Sequence, residues 1–462
     1  MALTRMRVDQ LANTWVGDDD TPFQIGLLAV FDRGPWQGPD GALDVPGLCH
    51  ALAARARTVP ALRQRVLWTR VWEGRPVWVE DPAFDPASHI GSAELPGGSD
   101  VADLATWAAN ASIERLHPDT PLWRAQVVDG LPGGRFGVLV TVSHVLADGL
   151  EGVQLAGSLF DATPDAVPAA ASGDEAPSPL PSHRELLLDR WTRRGKRQPR
   201  RRAAARPARR RGRALAEFRD NAAALRGHPP ATSLPRRVGP ERRMAVSTAE
   251  LATVRRAGRA LGVTVNDLVL GVVTQGLRDL LSARGDDVGG LRLRAVVPVA
   301  GKEAGAGQAM GMLVVDLPVG EPDLLRRLAL IRSATTAGKS RVRESGGDVG
   351  DILHLPLPLL HAFVRYGRRI GSSRLNLSVS NVPGPTAPLW LAGARMVAAV
   401  PVAPLVPRVP LSVAALSYAG SLVVAANADA SLADLHVLSA GMSRSFSGYA
   451  QVAEQGQTLP DP

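Results

Sequence analysis

The 462-residue chain holds a single cysteine, Cys49, which excludes an internal disulfide framework and a cluster of thiolate metal ligands. Its nine histidines are scattered without a pair at ligand spacing, so no metal site is expected. No Gly-x-Ser-x-Gly occurs, and the nucleophile elbow of a serine hydrolase is therefore missing. "GAGQAMG" near residue 305 is no dinucleotide fingerprint, because its third glycine is misplaced and no strand ends cleanly before it. The opening "MALTRMRVDQLANTW" lacks the apolar core and cleavage site of a secretory signal. The long uncharged stretch Val409 to Ala428 contains Pro410 and "SYAGS", and reads as two strands and a hairpin turn rather than a membrane span. These absences lead us to expect a cytoplasmic protein whose contact with lipid, if any, is peripheral, on the inner membrane face or on lipid inclusions.

Lysine is scarce too, at Lys196, Lys302 and Lys339, so the net charge of +9 rests on arginine. That charge is local. Arg190 to Arg213 holds thirteen basic residues and no acids, and without them the balance is −4. The remainder is thus mildly acidic, and "RRGKRQPRRRAAARPARRRGR" is a basic insert. It has no aromatic side chain to stack a base and no recognition motif beside it, so no nucleic-acid partner is expected. Two readings of the insert stay open, an arginine-rich linker without a partner and a segment touching anionic lipid, with "LLLDRW" before it as apolar anchors.

Periodicity divides the chain into two structured halves of interleaved strands and helices, a mixed α/β class. We expect an N-terminal domain over residues 1–161, a linker with the basic insert over 162–235, and a C-terminal domain over 236–462. In the first half, "QIGLLAVFD", "RVLWTRVW", "PVWVE", "WRAQVVDG" and "RFGVLVTVSH" read as strands, with helices at Val45 to Thr58 and Asp100 to Glu114. In the second, Ser247 with Glu250 and Thr264 with Asp267 have the spacing of capping boxes, and helices are expected near Asp323 to Lys339, Asp351 to Ile370 and Leu432 to Tyr449.

One histidine stands out. His144 ends the apolar run "FGVLVTVSH", and Asp148-Gly149 follows before the next helical pattern. A neutral imidazole at a strand end can take a proton from a bound hydroxyl or thiol. Asp148 could orient it or brace the loop through an arginine, and Gly149 offers backbone freedom. The residues alone leave packing and chemistry both open.

"TVSHVLADG" resembles the His-His-x-x-x-Asp-Gly signature of the coenzyme A-dependent acyltransferase superfamily. "PLWRAQVVDGLPGGRFGVLVTVSHVLADG", "TVNDLVLGVVTQGLR", "VDLPVG" and "LSVSNVPGPTAPLWLAGARM" are similar, in that order, to the bacterial wax ester synthase/diacylglycerol acyltransferase family. The resemblance implies a two-domain, chloramphenicol acetyltransferase-like fold, each domain a mixed sheet with helices, with a tunnel at their interface. It implies an O-acyltransferase with acyl-coenzyme A as co-substrate and no cofactor. The acceptor would be a hydrophobic alcohol, a diacylglycerol or fatty alcohol, giving triacylglycerol or wax ester.

In that family His144 would be the general base, while Asp148 turns away to pair with an arginine, for which Arg294 is our candidate. Ser380 matches the position of an oxyanion donor. Ser378, on the same strand face, and the adjacent Asn381 are further candidates, against the plain reading as strand-end hydroxyls before a Pro-Gly-Pro turn. Asn266 and Asp267 match an Asn-Asp motif and read structurally as first-turn residues of a helix. Pro121, Leu122 and Trp123 match a Pro-Leu-Trp motif and read as packing.

The chain departs from the pattern at Ser143, where the first histidine would stand, at Gly307-Gln308 for Gly-Asn, and at Ser412 for a late asparagine. These changes bear on the acceptor more than on the fold. They leave open a second reading, an acyltransferase-fold protein that binds lipid or acyl-coenzyme A without turnover.

Overall fold

The computed structural model describes residues 3–166, 179–196, 230–299, 311–344, 360–362, 364–366 and 372–461. Most of the basic insert, the Gly307-Gln308 pair and most of the helix expected at Asp351 to Ile370 lie outside the described residues.

The N-terminal half contributes β1 (Thr4–Arg5), α1 (Val8–Asn13), β2 (Gln24–Asp32), α2 (Val45–Thr58), β3 (Gln64–Leu67), β4 (Val77–Glu80), β5 (Ile90–Glu94), α3 (Val101–Ala111), β6 (Trp123–Leu131), β7 (Arg135–Ser143), α4 (Gly149–Gly157) and α5 (His183–Lys196). The C-terminal half adds β8 (Arg242–Glu250), α6 (Leu251–Ala260), α7 (Val265–Ala283), β9 (Leu293–Val299), β10 (Gly311–Leu317), α8 (Leu324–Glu344), β11 (Leu377–Pro383), β12 (Trp390–Leu391), β13 (Ala394–Val402), β14 (Leu411–Tyr418), β15 (Ser421–Asp429) and α9 (Leu435–Glu454). Two six-stranded sheets result, ordered β12-β13-β2-β7-β6-β5 and β10-β9-β11-β14-β15-β8. Both are mixed: β5 runs parallel to β6, and β11 runs parallel to β9 and β14.

Alternation along β2 shows how the first sheet is buried on both faces. Leu27, Ala29 and Phe31 join a core with Leu48, Leu52 and Ala56 of α2. Leu28 and Val30 point the other way, into a core with Leu104 and Ala108 of α3 and with Met244, Val423 and Ala425 of the second sheet. The halves therefore share a core. α3 also protects β8, the edge of the second sheet. Asn110 acts as a strand partner there, donating to the Arg242 carbonyl at 2.9 Å and accepting from the Arg242 amide at 2.8 Å.

Four expectations are corrected. The boundary at residue 236 does not separate the sheets, because β12 and β13 from the second half cross back and β13 pairs antiparallel with β2. Without that crossover β2 would expose an unpaired apolar edge. "RVLWTRVW" is not one strand. Its first three residues, Arg65 to Leu67, belong to β3 and pair with β4 in a separate three-stranded sheet with β1, and the rest forms an exposed turn. Ser247 lies inside β8, paired with Val424 of β15, and its hydroxyl meets that of Ser443 at 2.6 Å. α6 thus starts at Leu251 with no side-chain cap from Glu250, since strand pairing claims the segment first. Finally, Gly149 has no positive φ and sits in the first turn of α4.

Candidate active site

β7 is buried along all but its first residue, and its ladder with β2 ends at Ser143 opposite Gln24. His144 extends that ladder by one bond, its amide donating to the Phe23 carbonyl at 3.0 Å. Its own carbonyl accepts from Asn13 Nδ2 at 3.0 Å. The chain then turns, with the amides of Leu146 and Ala147 both donating to the Ser143 carbonyl. Asp148 closes the turn as the N-cap of α4, its carboxylate accepting from the Glu151 amide at 3.1 Å. The histidine backbone is held from two sides by residues remote in sequence.

The imidazole stacks on the Phe23 ring with centroids 4.3 Å apart and planes inclined by 14°. Its Nδ1 is buried and has no hydrogen-bond partner among the described residues, which leaves Nε2 as the nitrogen that can meet a substrate. The ring is only half-buried because it opens on a cavity, yet protein surrounds it closely, and burial pushes its pKa down to about 4. Desolvation disfavours the imidazolium, so the ring is a neutral proton acceptor at physiological pH.

That cavity has a volume of about 280 Å³ and lies between the two halves of the chain. Its walls are mostly aliphatic: Ile25, Val140, Val142 and Val153 come from the first half, Val382 and Leu416 from the second. His144, Asp148 and Gly149 line it on one side, Ser380 and Asn381 on the other. A Cβ at position 149 would sit 3.7 Å from Val382 Cγ2 in the cavity wall, an ordinary van der Waals distance, so neither the backbone nor that wall demands glycine there. Three residues on, a Cβ at Gly152 would fall 2.0 Å from Ile25 Cδ1, so glycine lets α4 lie close on β2. Nothing in "DGLEG" announced that close approach.

The serines separate. Ser380 lines the cavity and makes no side-chain hydrogen bond among the described residues, which leaves its hydroxyl available. Ser378, one pleat away, bonds the Ser412 hydroxyl at 2.6 Å across the parallel pair β11–β14 and is not a cavity residue. Ser412, where the resemblance led us to expect asparagine, is therefore a partner for Ser378.

Arg294 is not the partner of Asp148. It faces Asp316 across the β9–β10 hairpin at 3.4 Å, the contact that cross-strand register dictates, whereas the Asp148 carboxylate is used in capping α4. Ser143 also lies away from the cavity, because successive residues of a strand point to opposite faces. It borders a second cavity of about 300 Å³, with Trp15, Phe23, Trp68, Arg115 and Leu122. Phe23 is thus the partition between that space and the imidazole of His144.

The remaining motif residues lie outside the first cavity. The Leu122 carbonyl accepts from the Ser143 amide at 3.0 Å, and the Pro121 carbonyl from the Trp123 amide at 2.9 Å. Trp123 Nε1 donates to the Leu62 carbonyl at 2.8 Å, and its ring stacks on His89. Thr264 and Asp267 form the capping box of α7. Asp267 Oδ1 also accepts from Thr335 of α8 at 2.8 Å, tying the two helices. Neither Asn266 nor Asp267 lines the cavity. Sequence reading missed Asn13 and Phe23; each contacts His144 only through folding, and no local spacing signals it.

The architecture is that of a two-domain acyltransferase-type fold. Solved structures share it: the wax ester synthase/diacylglycerol acyltransferase from Marinobacter aquaeolei VT8 superimposes with a TM-score of 0.70 at 21% identity, over 98% of this chain and all of that one. The first condensation domain of the calcium-dependent antibiotic synthetase follows at a TM-score of 0.56 and 20% identity, over 98% of this chain and 95% of that one. Sequence narrows the class. The wax ester synthase/diacylglycerol acyltransferase catalytic domain matches residues 7–269, and the C-terminal domain of the same family matches residues 306–449. The chain belongs to that family. A relative in Mycobacterium tuberculosis named as the diacylglycerol O-acyltransferase tgs1 is 29% identical over 89% of this chain and 88% of its own. Another from the same species, also named as a diacylglycerol O-acyltransferase, is 31% identical over 79% of both chains.

Proposed function

We propose that the protein transfers a long-chain acyl group from acyl-coenzyme A to the hydroxyl of a hydrophobic alcohol, a diacylglycerol or a fatty alcohol. The observation that carries this reading is an imidazole kept neutral by burial, with one nitrogen facing an apolar cavity between the two halves. The alcohol oxygen attacks the thioester carbonyl carbon as His144 Nε2 takes its proton. The carbonyl electron pair moves onto oxygen, where the Ser380 hydroxyl donates a hydrogen bond. Collapse restores the carbonyl, breaks the carbon–sulfur bond and expels the coenzyme A thiolate, which receives the proton from His144. The ester and free coenzyme A leave. The membership of the family and the aliphatic walls support an acyl substrate; acyl-coenzyme A is consumed, and no further cofactor takes part.

At about 280 Å³ the cavity is near the lower end of small-molecule sites, with room for the reacting ends of two substrates. The partnerless Nδ1 favours the second reading, an acyl-binding protein without turnover, because no group among the described residues holds the tautomer that a base requires.

One assay separates the two. Labelled palmitoyl-coenzyme A is incubated with a long-chain alcohol or a diacylglycerol, using wild type and His144→Ala. Ester formed by wild type and reduced by about 10² to 10⁴ in the variant supports the enzyme. Acyl-coenzyme A bound by both proteins, with no ester from either, supports the binding protein.

A further inference from the structure

Large hydrophobic side chains stand exposed at eleven positions among the described residues, and seven of these fall in two short segments, 68–72 and 180–191. The segments are distant in sequence and joined in space. Arg190 donates to the carbonyls of Val71 and Trp72. Arg5 bridges them, donating to the Glu73 and Arg75 carbonyls on one side and to the Leu186 carbonyl and Asp189 carboxylate on the other. His183 Nδ1 meets Glu73 Oε1 at 2.5 Å.

These contacts fix which face of α5 looks outward. Leu186, Asp189 and Arg190 face the protein, and Leu186 is buried. Arg184, Leu187, Leu188 and Trp191, at helical spacing, form the exposed stripe. Trp191 is 79% exposed, Val71 73% and Trp72 59%, and it is their gathering on one face that marks a contact surface. The nearby acids are already engaged: Asp189 with Arg5, Glu73 with His183, and Glu185 with Ser182. Arginine dominates what remains, since the chain from Arg190 to Arg213 carries thirteen basic residues and no acids.

We propose that the turn at 68–72 and the outer stripe of α5 form one face that docks on an anionic lipid surface. Tryptophan seated at the headgroup level with arginine beside it is the chemistry of an interfacial contact. The charge complements acidic headgroups, each basic residue near the surface adding to the attraction. No single helix among the described residues is long and apolar enough to cross a membrane. Trp68 belongs both to this face and to the rim of the second cavity, whose far wall is Phe23. Docking therefore lays that rim against the lipid.

The test uses the full chain with vesicles of phosphatidylcholine alone or of equal parts phosphatidylcholine and phosphatidylglycerol. Wild type floats with the anionic vesicles and not with the neutral ones, salt releases it, and brominated lipid quenches its tryptophan fluorescence. Trp72→Ser with Trp191→Ser binds roughly tenfold more weakly, with quenching reduced. Both side chains are exposed, so the variant should fold, and an unchanged circular dichroism spectrum and melting curve check this. The proposal is overturned if wild type binds neither vesicle, or if the variant binds as wild type does. It is equally overturned if the variant loses self-association in sedimentation while wild type ignores lipid, which would mark the face as a contact between copies. Flotation is read without turnover, so a protein that docks and forms no ester leaves this inference standing and removes the acyltransferase reading.

Discussion

Phe23 holds His144 twice: its carbonyl accepts the histidine amide at 3.0 Å, and its ring covers the imidazole at 4.3 Å. Backbone and side chain of one residue thus set both the position of the proposed base and the dryness around it. Phe23→Ala keeps the backbone bond and removes the ring. The imidazole gains rotational freedom and water, and the second cavity opens onto it. We expect kcat to fall by about tenfold or more from lost positioning, with a smaller change in KM. Phe23→Leu, which restores apolar cover without stacking, should recover part of the loss. If Phe23 only packs, kcat in both variants will stay at the wild-type value once the proteins are shown to be folded.

The pH profile follows from the same burial. The usual imidazole value of 6.5 drops to about 4, because desolvation disfavours the charged ring. Activity that needs the neutral ring should therefore persist as pH falls through 6.5 and decline only toward 4. In Phe23→Ala, where water reaches the ring, the acid limb should move up toward 6.5. Stability has the same sign. Between 6.5 and 4 the unfolded chain binds a proton that the folded site refuses, so stability contributed by the neutral site is full above 6.5 and lost as pH falls through that window. The slope is below about 1.4 kcal/mol per pH unit, since the ring borders a cavity that water can enter. Urea titrations of wild type and His144→Gln across the window measure the difference. Parallel curves would contradict the shift.

The two serines of β11 should respond differently. Ser380→Ala removes the uncommitted hydroxyl at the cavity, and we expect kcat to fall by roughly 10² to 10³ with KM nearly unchanged, as for loss of an oxyanion donor. Ser378→Ala breaks the bond to Ser412 and leaves a buried hydroxyl unpaired, which should cost about 1 kcal/mol of stability and little activity. Steady-state kinetics with denaturant unfolding on both variants decides. Equal kinetic losses would place the effect in the strand rather than in the hydroxyl.

The elements that were legible in the sequence are those whose signal is local. β2, β6 and β7 follow from apolar runs bounded by turn residues, and α7 from its Thr264–Asp267 box. Ser247 with Glu250 has the same spacing and failed, because pairing with β15 takes these residues into a strand. Spacing states what a cap could do, and the sheet decides whether it does. His144 and Ser380 were marked by their motifs. The clamp from Asn13 and Phe23, the Ser378–Ser412 bond and the Arg294–Asp316 pair were not, since each depends on which strands become neighbours. The crossover of β12 and β13 was hidden for the same reason: "ARMVAAVPV" reads as a strand without saying which sheet receives it.

That crossover is fastened by a buried ion pair, which gives the last prediction. Arg55 on α2 grips Asp161 with two hydrogen bonds, at 2.9 and 2.5 Å, and the two side chains are 5% and 9% exposed. Asp161 in turn accepts from the Ala392 amide at 2.9 Å, and its backbone pairs with Trp390 in both directions. One carboxylate therefore joins α2, the end of the first half and the returning chain. Asp161→Ala leaves the Arg55 guanidinium buried without its counter-charge and frees β12. We expect a loss of about 3 to 5 kcal/mol, read as a lower denaturant midpoint, together with weaker acyl-ligand binding, because β13 carries Pro401 and Val402 into the cavity wall. Arg55→Met, which removes the charge and keeps apolar volume, should cost less. If Asp161→Ala shifts stability by less than about 1 kcal/mol, the scale of an exposed pair, the returning strands are held by β2 and its core alone.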